Sequence, residues 1–339
     1  MNQNLINKCR EWLVKNNISF KENFDLSFKS WIKAGGKIKL YINPSNTEEV
    51  KDIVFFLKSE KIIYYILGNI SNTLIRDGDI YTPIINLQKI QNIDQISSNV
   101  YSVGAGTSIS RFANFFTKRG FSGVQGLVGI PGTVGGGVFM NASSYGSCIS
   151  DFLTSVTFMD EYGSIYKRRK DELFFNWRSS YFHKKNLIIL KIEFKFTKKE
   201  NQLKLDSYIK EVKAHRGFYQ ENTFPNLGSL FATRNIYKDL SKNSIILYSM
   251  YLIHNFLTIL FKRYSKTSLV VYRKFSRLFY LKILKIKNIQ GFGFSEKTLN
   301  CIINLGSKDA NKAIELISSF QENISYSIKR EIVILDKIK

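Results

Sequence analysis

A glycine-dense run at residues 126–137 constrains the fold of this chain more than any other feature. The run reads GLVGIPGTVGGG, with six glycines in twelve residues, and continues to Met140-Asn141-Ala142. Glycine permits left-handed backbone and close approach of a ligand, and successive exposed N–H groups can form a concave site for phosphate. Because the apolar residues between the glycines would be buried around a fixed turn, we predict a ligand-binding loop here and not a flexible linker.

Length and composition limit the class of protein. The chain has 339 residues, which is too long for one ordinary core and fits two or three modules. Hydrophobic residues make up 44% and charged residues 23%, as in globular proteins. The formal charge of +23 suggests nucleic-acid binding, but 4 Pro against 27 Phe and 18 Tyr indicates codons rich in A and T. We therefore interpret much of the lysine as solvated surface and expect no nucleic-acid partner, since no recognisable binding motif accompanies the charge.

Cysteine and histidine are sparse. The cysteines make neither a disulfide framework nor a metal knuckle, and the isolated histidines do not make a zinc site. These residues are Cys9, Cys148, Cys301, His183, His215 and His254. The first four residues lack the basic stretch and apolar core of a secretory signal. We expect a reduced, cytoplasmic enzyme without a bound metal.

Hydrophobic periodicity predicts strands mixed with helices, which is typical of an α+β fold. We expect helices at residues 4–16, 47–60, 109–119, 206–215 and 309–323, the last capped by Ser307 or Asp309. We expect strands at residues 37–42, 62–67, 80–87, 100–103, 155–160, 164–167, 187–197, 301–305 and 331–335.

Residues 244–261 interrupt this pattern. They form a run of eighteen residues without a formal charge, and residues 262–287 then carry nine Lys or Arg and no acid. The run has the minimum length for a membrane-spanning helix, but His254, Asn255 and several hydroxyl groups lower its hydrophobicity. Three alternatives stay open, namely a span, a buried helix, and a helix on an anionic surface with weak membrane contact through residues 244–287.

Several motifs, in order along the chain, resemble those of the UDP-N-acetylenolpyruvoylglucosamine reductases. The motif most specific to the family is Gly-Ile-Pro-Gly-Thr-Val-Gly-Gly at residues 129–136, with Met-Asn-Ala at 140–142. The others are Ala-Gly-Gly at 34–36, Leu-Gly-Asn-Ile-Ser-Asn at 67–72, Leu-Ile-Arg-Asp at 74–77, Trp-Arg-Ser-Ser-Tyr-Phe at 177–182, Arg216 with Gln220, Pro-Asn-Leu-Gly-Ser-Leu-Phe at 225–231 and Glu-Ile-Val at 331–333. The resemblance covers about residues 25–235 and 290–335.

The resemblance implies a fold, an activity and cofactors. The fold is a two-part FAD-binding domain of the vanillyl-alcohol-oxidase (PCMH) type, whose parts we place at residues 1–92 and 93–205, followed by an α+β substrate-binding domain at 206–339 with an insertion at about 236–285. The activity is reduction of UDP-N-acetylglucosamine enolpyruvate to UDP-N-acetylmuramate by FAD and NADPH, in peptidoglycan precursor synthesis. The implied FAD contacts are Gly35, Gly36, Gly68, Asn69, Ser71, Asn72, Gly129, Ile130, Pro131, Gly132, Thr133, Gly135, Gly136 and Asn141.

Three catalytic residues are implied by the same resemblance. Hydride adds to the terminal carbon of the enolpyruvyl group and a proton to the carbon that bears the carboxylate, so the intermediate has enolate character. Arg178 matches a cation that forks onto the carboxylate. Glu331 matches a carboxyl that stabilises the intermediate as a donor, which requires a raised pKa. Ser229 matches the proton donor, which has to be held close to the developing carbanion.

Departures from the family pattern cluster in the substrate module. Ile70 stands where the second glycine of a phosphate loop is expected, and we expect it to weaken contact with the pyrophosphate. The family's Gln-Pro is Gln220-Glu221, its Phe-x-Asn-Pro reads Phe-Ala-Thr-Arg at 231–234, and residues 295–300 lack its histidine. A substrate lysine is expected within 236–285, with Lys285 as a candidate. A diverged flavoprotein that acts on another sugar nucleotide or surface-polysaccharide precursor therefore stays an alternative, and the oligomeric state stays open.

Overall fold

The computed structural model describes residues 3–184, 186–324 and 328–335. Helices and strands are mixed along this part of the chain, as the periodicity predicts. The helices are α1 (Gln3–Lys15), α2 (Thr47–Ser59), α3 (Ile109–Thr117), α4 (Val134–Phe139), α5 (Gln202–Tyr219), α6 (Ile236–Leu240), α7 (Ile245–Tyr264), α8 (Lys266–Ile283) and α9 (Ala310–Glu322).

The strands are short and most lie where the sequence predicts them. They are β1 (Phe20–Asp25), β2 (Lys37–Ile42), β3 (Tyr65–Leu67), β4 (Thr73–Ile75), β5 (Asp79–Ile80), β6 (Ile84–Asn86), β7 (Ile93–Ser97), β8 (Val100–Gly104), β9 (Ser143–Ser144), β10 (Ser147–Cys148), β11 (Leu153–Met159), β12 (Ile165–Arg169), β13 (Ile188–Lys195), β14 (Phe292–Phe294), β15 (Ile302–Asn304) and β16 (Val333–Leu335). The predicted strand at 80–87 is two strands, because Pro83 interrupts it and has no N–H to donate to a neighbour.

The first sheet is mixed, in the order β1-β2-β6-β3, with β5 also beside β2. β1 runs antiparallel to β2, whereas β2, β6 and β3 are parallel. Asn46 caps α2 by accepting the N–H of Glu49 at 2.9 Å. The apolar residues of α2 are buried together with those of α1 and of strands β2 and β6. The parallel strands thus end at one edge, where β3 leads directly into the loop at residues 68–72.

The second sheet is antiparallel, in the order β12-β11-β13-β8-β7. Helix α3 packs against it through an aromatic core in which Phe116 stacks on Phe196 at 4.1 Å between ring centroids. Part of the glycine run forms the short helix α4, capped by the Thr133 hydroxyl. The prediction of a loop over the whole run is therefore wrong for residues 134–139.

The third core is built by α9, the β14–β15 hairpin and the helices of the 236–285 segment. Asp309 caps α9 by accepting the N–H of Asn311 at 3.0 Å. The last strand, β16, pairs in parallel with β4, so that Val333 lies beside Thr73. Residues 333–335 are thereby fixed against the segment that follows the first glycine loop.

The 236–285 segment is helical. In it, α7 is the one helix among residues 3–184, 186–324 and 328–335 that is long and apolar enough to cross a membrane by length and composition, which alone is weak evidence of a span. Of its 18-residue apolar window, 11% is buried. This low burial excludes the alternative of a buried helix.

Candidate active site

One cleft brings together most of the residues that the sequence identifies. It has a volume of about 1160 Å³, at or above the upper end of typical ligand pockets, roughly 300–1000 Å³. Its walls are the loop at 68–72, the run at 129–137, the segment 216–229 and Glu331. The predicted residues that line it are Gly68, Asn69, Ser71, Asn72, Gly129, Ile130, Pro131, Gly132, Thr133, Gly135, Gly136, Arg178, Ser229 and Glu331.

The two glycine segments contact each other across the floor of the cleft. Ser71 donates its hydroxyl to the carbonyl of Pro131 at 3.2 Å. A Cβ at Gly68 would lie 2.5 Å from Oγ1 of Thr133, so a side chain there would force the segments apart. Gly132 has φ of +131°, a conformation that L side chains rarely adopt. Glycine is therefore required at both positions by close approach and by backbone conformation.

The run does not form the continuous series of free N–H groups that the sequence suggested. The N–H groups of Ile130, Val134 and Gly135 donate to the carbonyls of Leu127 (3.1 Å), Thr107 (2.7 Å) and Ala105 (2.8 Å). Helix α4 is also packed tightly, since a Cβ at Gly135 would lie 2.8 Å from that of Ala105. Several of these glycines thus serve helix packing, which corrects the prediction of an uninterrupted phosphate nest.

Ile70 adopts a left-handed backbone conformation that glycine favours. Its φ is +49°, in the left-handed region, which costs an L residue about 1–2 kcal/mol. Its side chain is only 3% exposed and packs in a cluster that contains Leu67 and Ile75. Most of the side chain therefore lies in the core although Ile70 also lines the cleft, which argues against our expectation that it would weaken contact with a pyrophosphate.

Two residues that the sequence did not identify hold the first loop in place. Asn86, at the end of β6, is buried and donates its amide to the carbonyl of Gly68 at 2.6 Å. Gln88 donates to Oδ1 of Asn69 at 2.8 Å. A polar residue directly after a buried apolar strand is the signal that could have found Asn86.

Three predicted contacts lie outside the lining of the cleft. A Cβ at Gly36 would lie 2.4 Å from the carbonyl oxygen of Gly78, which explains the glycine by packing alone. Its neighbour Gly35 has φ of +143°. Asn141 donates to the carbonyl of Asn176 at 3.0 Å, close to the segment that carries Arg178. The structure therefore supports these three as residues that position the walls.

Arg178 and Glu331 form an ion pair in the cleft. Nε of Arg178 lies 3.0 Å from Oε1 of Glu331, and the side chains are 21% and 13% exposed. The guanidinium also lies over the ring of Trp177 at 5.6 Å. Burial raises the pKa of the Glu331 carboxyl above its ordinary value, and the charge of Arg178 opposes this shift without cancelling it. Glu331 is thus the predicted site residue whose pKa changes in the direction that a proton-bearing carboxyl needs.

Ser229 lies beside this pair through the backbone. Its neighbour Leu230 accepts the N–H of Glu331 at 2.8 Å, and Asn72 donates its amide to the carbonyl of Glu331 at 3.0 Å. Gly228 has φ of +74°, with no atom within 4 Å of the place where its Cβ would be. Hydrogen bonds therefore join the first glycine loop, the segment that carries Ser229 and the backbone of Glu331, with open space at Gly228.

The departures at 220–221 and at 295–300 contact one another. Glu221 accepts the hydroxyl of Ser295 at 2.7 Å. Lys297 donates to the carbonyls of Gly217, in the last turn of α5, and of Gln220, just beyond that helix, at 2.7 and 2.8 Å. The residues that depart from the family pattern in these two segments are therefore hydrogen-bonded to one another.

Other candidates lie away from the cleft. Lys285 is exposed just after the end of α8 and does not line the cleft. Among the residues that the structure describes, no group of three or more His, Cys, Asp or Glu could hold a metal ion.

Comparisons with known proteins agree with this geometry. Residues 38–168 match a family model described as an FAD binding domain. The UDP-N-acetylenolpyruvoylglucosamine reductase of Listeria monocytogenes serotype 4a is 33% identical over 214 residues, which are 63% of this chain and 71% of the relative. That of Aquifex aeolicus is 29% identical over 309 residues, 90% of each chain. The crystal structure of the Thermus caldophilus enzyme has a TM-score of 0.68 at 22% identity, over 94% of this chain and 100% of that one, so the fold is shared along nearly the whole length.

Proposed function

The chain belongs to the UDP-N-acetylenolpyruvoylglucosamine reductase family, and we propose that it reduces UDP-N-acetylglucosamine enolpyruvate to UDP-N-acetylmuramate with FAD and NADPH. This reaction serves peptidoglycan precursor synthesis, and we place it in the cytoplasm. The observation that carries the proposal is that Arg178, Ser229 and Glu331 line one cleft with both glycine loops although they are far apart in sequence.

The floor of the cleft fits FAD. The backbone at Gly129 and Gly132 is left-handed, and both residues line the cleft, so a flat or phosphorylated group can approach the main chain there. Ser71, Asn72 and Thr133 add hydroxyl and amide groups to the same surface. FAD supplies the hydride chemistry when it is bound.

Arg178 and Glu331 bind and polarise the enolpyruvyl carboxylate in this proposal. Nε of Arg178 lies 3.0 Å from Glu331, and in this proposal the terminal nitrogens of the guanidinium fork onto the substrate carboxylate. Glu331 with a raised pKa donates a hydrogen bond to the developing enolate when it is protonated. Both side chains are mostly buried, so these interactions act in a low dielectric and are stronger than in water.

Ser229 donates the proton to the carbon that bears the carboxylate. The serine follows the turn at Gly228 and lines the cleft. The backbone hydrogen bond between Leu230 and Glu331 fixes the position of the serine relative to the ion pair. A hydroxyl is a weak acid, so its contribution depends on being held next to the carbanion.

The test separates the two half-reactions by anaerobic stopped-flow absorbance. Ser229→Ala should allow NADPH to bleach the flavin at a near-normal rate, because that step creates no carbanion. Reoxidation by UDP-N-acetylglucosamine enolpyruvate should slow by roughly 10²–10⁴-fold, as for other positioned acid–base groups. Ser249→Ala, on α7 outside the cleft lining, is the matched control and should leave both steps unchanged. Normal reoxidation in Ser229→Ala would contradict the assignment.

A second candidate, reduction of another sugar nucleotide, is favoured by one observation. Glu221 replaces the family's proline in the cleft wall and is paired with Ser295. An anionic side chain there alters the surface that a substrate meets. Reduced wild-type flavin that is reoxidised by a different enolpyruvyl or keto sugar nucleotide, and not by the family substrate, would establish this alternative.

A further inference from the structure

Helices α7 and α8 form a hairpin with apolar side chains on its outer face. On α7 these are Ile245, Tyr248, Leu252, Phe256 and Ile259, all exposed, with Phe256 at 66%. Their spacing of three and four residues places them on one face of the helix. A water-soluble helix turns such a face toward the core, so this face requires another explanation.

The inner face of α7 carries the half-buried His254 together with the buried apolar residues Leu247 and Met250. His254 contacts Oγ of Ser276 on α8 at 2.7 Å and the hydroxyl of Tyr272 at 3.1 Å. Its ring also lies 4.2 Å from that of Tyr237, and burial lowers its pKa to about 4, so it is neutral there. The inner side of the hairpin is thus packed against partners, whereas its exposed apolar side chains have none among the residues that the structure describes.

Helix α8, which packs against α7, also exposes apolar side chains. Val271, Phe275 and Leu278 are exposed, and Lys282 continues their spacing on the same face of the helix. We call these residues, together with the exposed apolar residues of α7, the hairpin surface. It combines aromatic and aliphatic side chains with lysine, as in helices that lie at a membrane interface.

The charge of the region has one sign. Residues 262–287 carry nine Lys or Arg, and no Asp or Glu occurs anywhere from residue 240 to residue 295. Two copies of the hairpin surface placed against each other would bring these positive charges together, which disfavours self-association. A surface of anionic lipid headgroups complements both the charge and the apolar side chains.

Contacts of α8 with the core fix how the hairpin can lie. Arg277 is buried and donates to the carbonyl of Phe294 at 3.3 Å, Arg273 lies over the ring of Tyr219 at 4.5 Å, and Lys274 pairs with Glu296 at 2.7 Å. Because α8 runs back along α7 and is held to the body of the protein, a spanning α7 would drag these cations into the bilayer or break their contacts. The geometry favours a hairpin that lies on the surface.

We propose that the hairpin surface docks the enzyme on the anionic face of a lipid bilayer. The apolar side chains enter the boundary between headgroups and acyl chains, while Lys262, Lys282 and Lys285, all exposed, contact the headgroups. This role is independent of the proposed reaction, since none of these residues lines the cleft.

The test is flotation of the full-length protein with vesicles of phosphatidylglycerol and phosphatidylcholine, compared with vesicles of phosphatidylcholine alone. Wild-type protein should float with the anionic vesicles at low salt and be released by salt. The triple variant K262Q/K282Q/K285Q should bind them about 100-fold more weakly. The triple variant K51Q/K89Q/K195Q removes the same charge from exposed lysines elsewhere and should bind within a few-fold of wild type.

A second pair of variants tests the apolar part. Phe256→Glu should weaken binding at least about tenfold, whereas Phe55→Glu, on α2 and 68% exposed, should not. Circular dichroism establishes that each variant is folded. Absence of wild-type binding to anionic vesicles, or equal loss with both control variants, would overturn the proposal. So would a lipid-free dimer abolished by Phe256→Glu, because the surface would then be covered by a second copy.

Discussion

Replacing Ile70 by glycine has two opposing effects on stability, and the structure allows us to separate them. Removing a buried isoleucine side chain costs about 2–5 kcal/mol of the free energy of unfolding. At Ile70, with φ of +49° and a side chain 3% exposed, glycine also relieves about 1–2 kcal/mol of left-handed strain. We expect a net loss of roughly 1–3 kcal/mol.

Ile84→Gly is the matched control for this prediction. Ile84 is buried in the same cluster but lies in strand β6, so the change removes a side chain without relieving strain. Urea unfolding followed by circular dichroism should therefore show Ile84→Gly to be less stable than Ile70→Gly, by at least about 1–2 kcal/mol. Flavin affinity, measured by fluorescence titration, should change little in Ile70→Gly. Equal destabilisation by the two variants, or much tighter flavin binding by Ile70→Gly at unchanged stability, would refute the reasoning and show that the side chain obstructs the groove.

Three further expectations concern the cofactor and the ion pair. Neither residues 68–72 nor 129–137 contain histidine or cysteine, so we expect the flavin to bind non-covalently. After unfolding in guanidinium and ultrafiltration, all the flavin should pass into the filtrate; flavin retained on the chain would contradict non-covalent binding. Burial raises the pKa of Glu331 in the folded state, so ionisation of this carboxyl opposes folding. The resulting loss of stability is absent below the ordinary glutamate pKa of about 4.3. Stability then falls as pH rises through the folded pKa. Urea midpoints across this range should fall less in Glu331→Gln than in wild type, and identical slopes would contradict the assignment. Arg178→Lys keeps the charge but loses the planar fork, so it should slow reoxidation by substrate and spare reduction by NADPH; equal slowing of both steps would indicate a structural role.

Most of the helices and strands follow from the periodicity of the sequence, because their apolar faces are regular. The strands that we did not predict, β1, β4, β7, β9, β10 and β14, are short or expose most of one face, so their patterns are weak. The sequence predicts a loop in place of helix α4, because glycine disfavours helices. Its glycines are needed for close packing against Ala105 and between Ile109 and Ile149, a requirement that appears only in three dimensions.

The sequence predicts the site residues that belong to recognisable motifs, but not the contacts between them. Arg178, Ser229 and Glu331 were identified one by one, but the ion pair of the first with the third depends on contacts across more than 150 residues of sequence. Asn86 and the pairing of Glu221 with Ser295 were missed, since hydrogen bonds between distant segments leave no local pattern. The sequence likewise does not show whether the side chain of Ile70 points into the core or into the cleft, because this depends on the backbone conformation of the loop. The module boundaries at 92 and 205 stay a prediction.

Product analysis of a complete turnover tests the proposed function most directly. Purified protein is incubated anaerobically with NADPH and UDP-N-acetylglucosamine enolpyruvate, and the sugar nucleotide is recovered for mass spectrometry. The account predicts a product heavier by two hydrogen atoms that matches UDP-N-acetylmuramate, formed in equal amount to the NADPH consumed and lost in Arg178→Ala. An unchanged sugar nucleotide with flavin bound and reduced would contradict it, because the cleft would then hold a working flavin that serves another substrate.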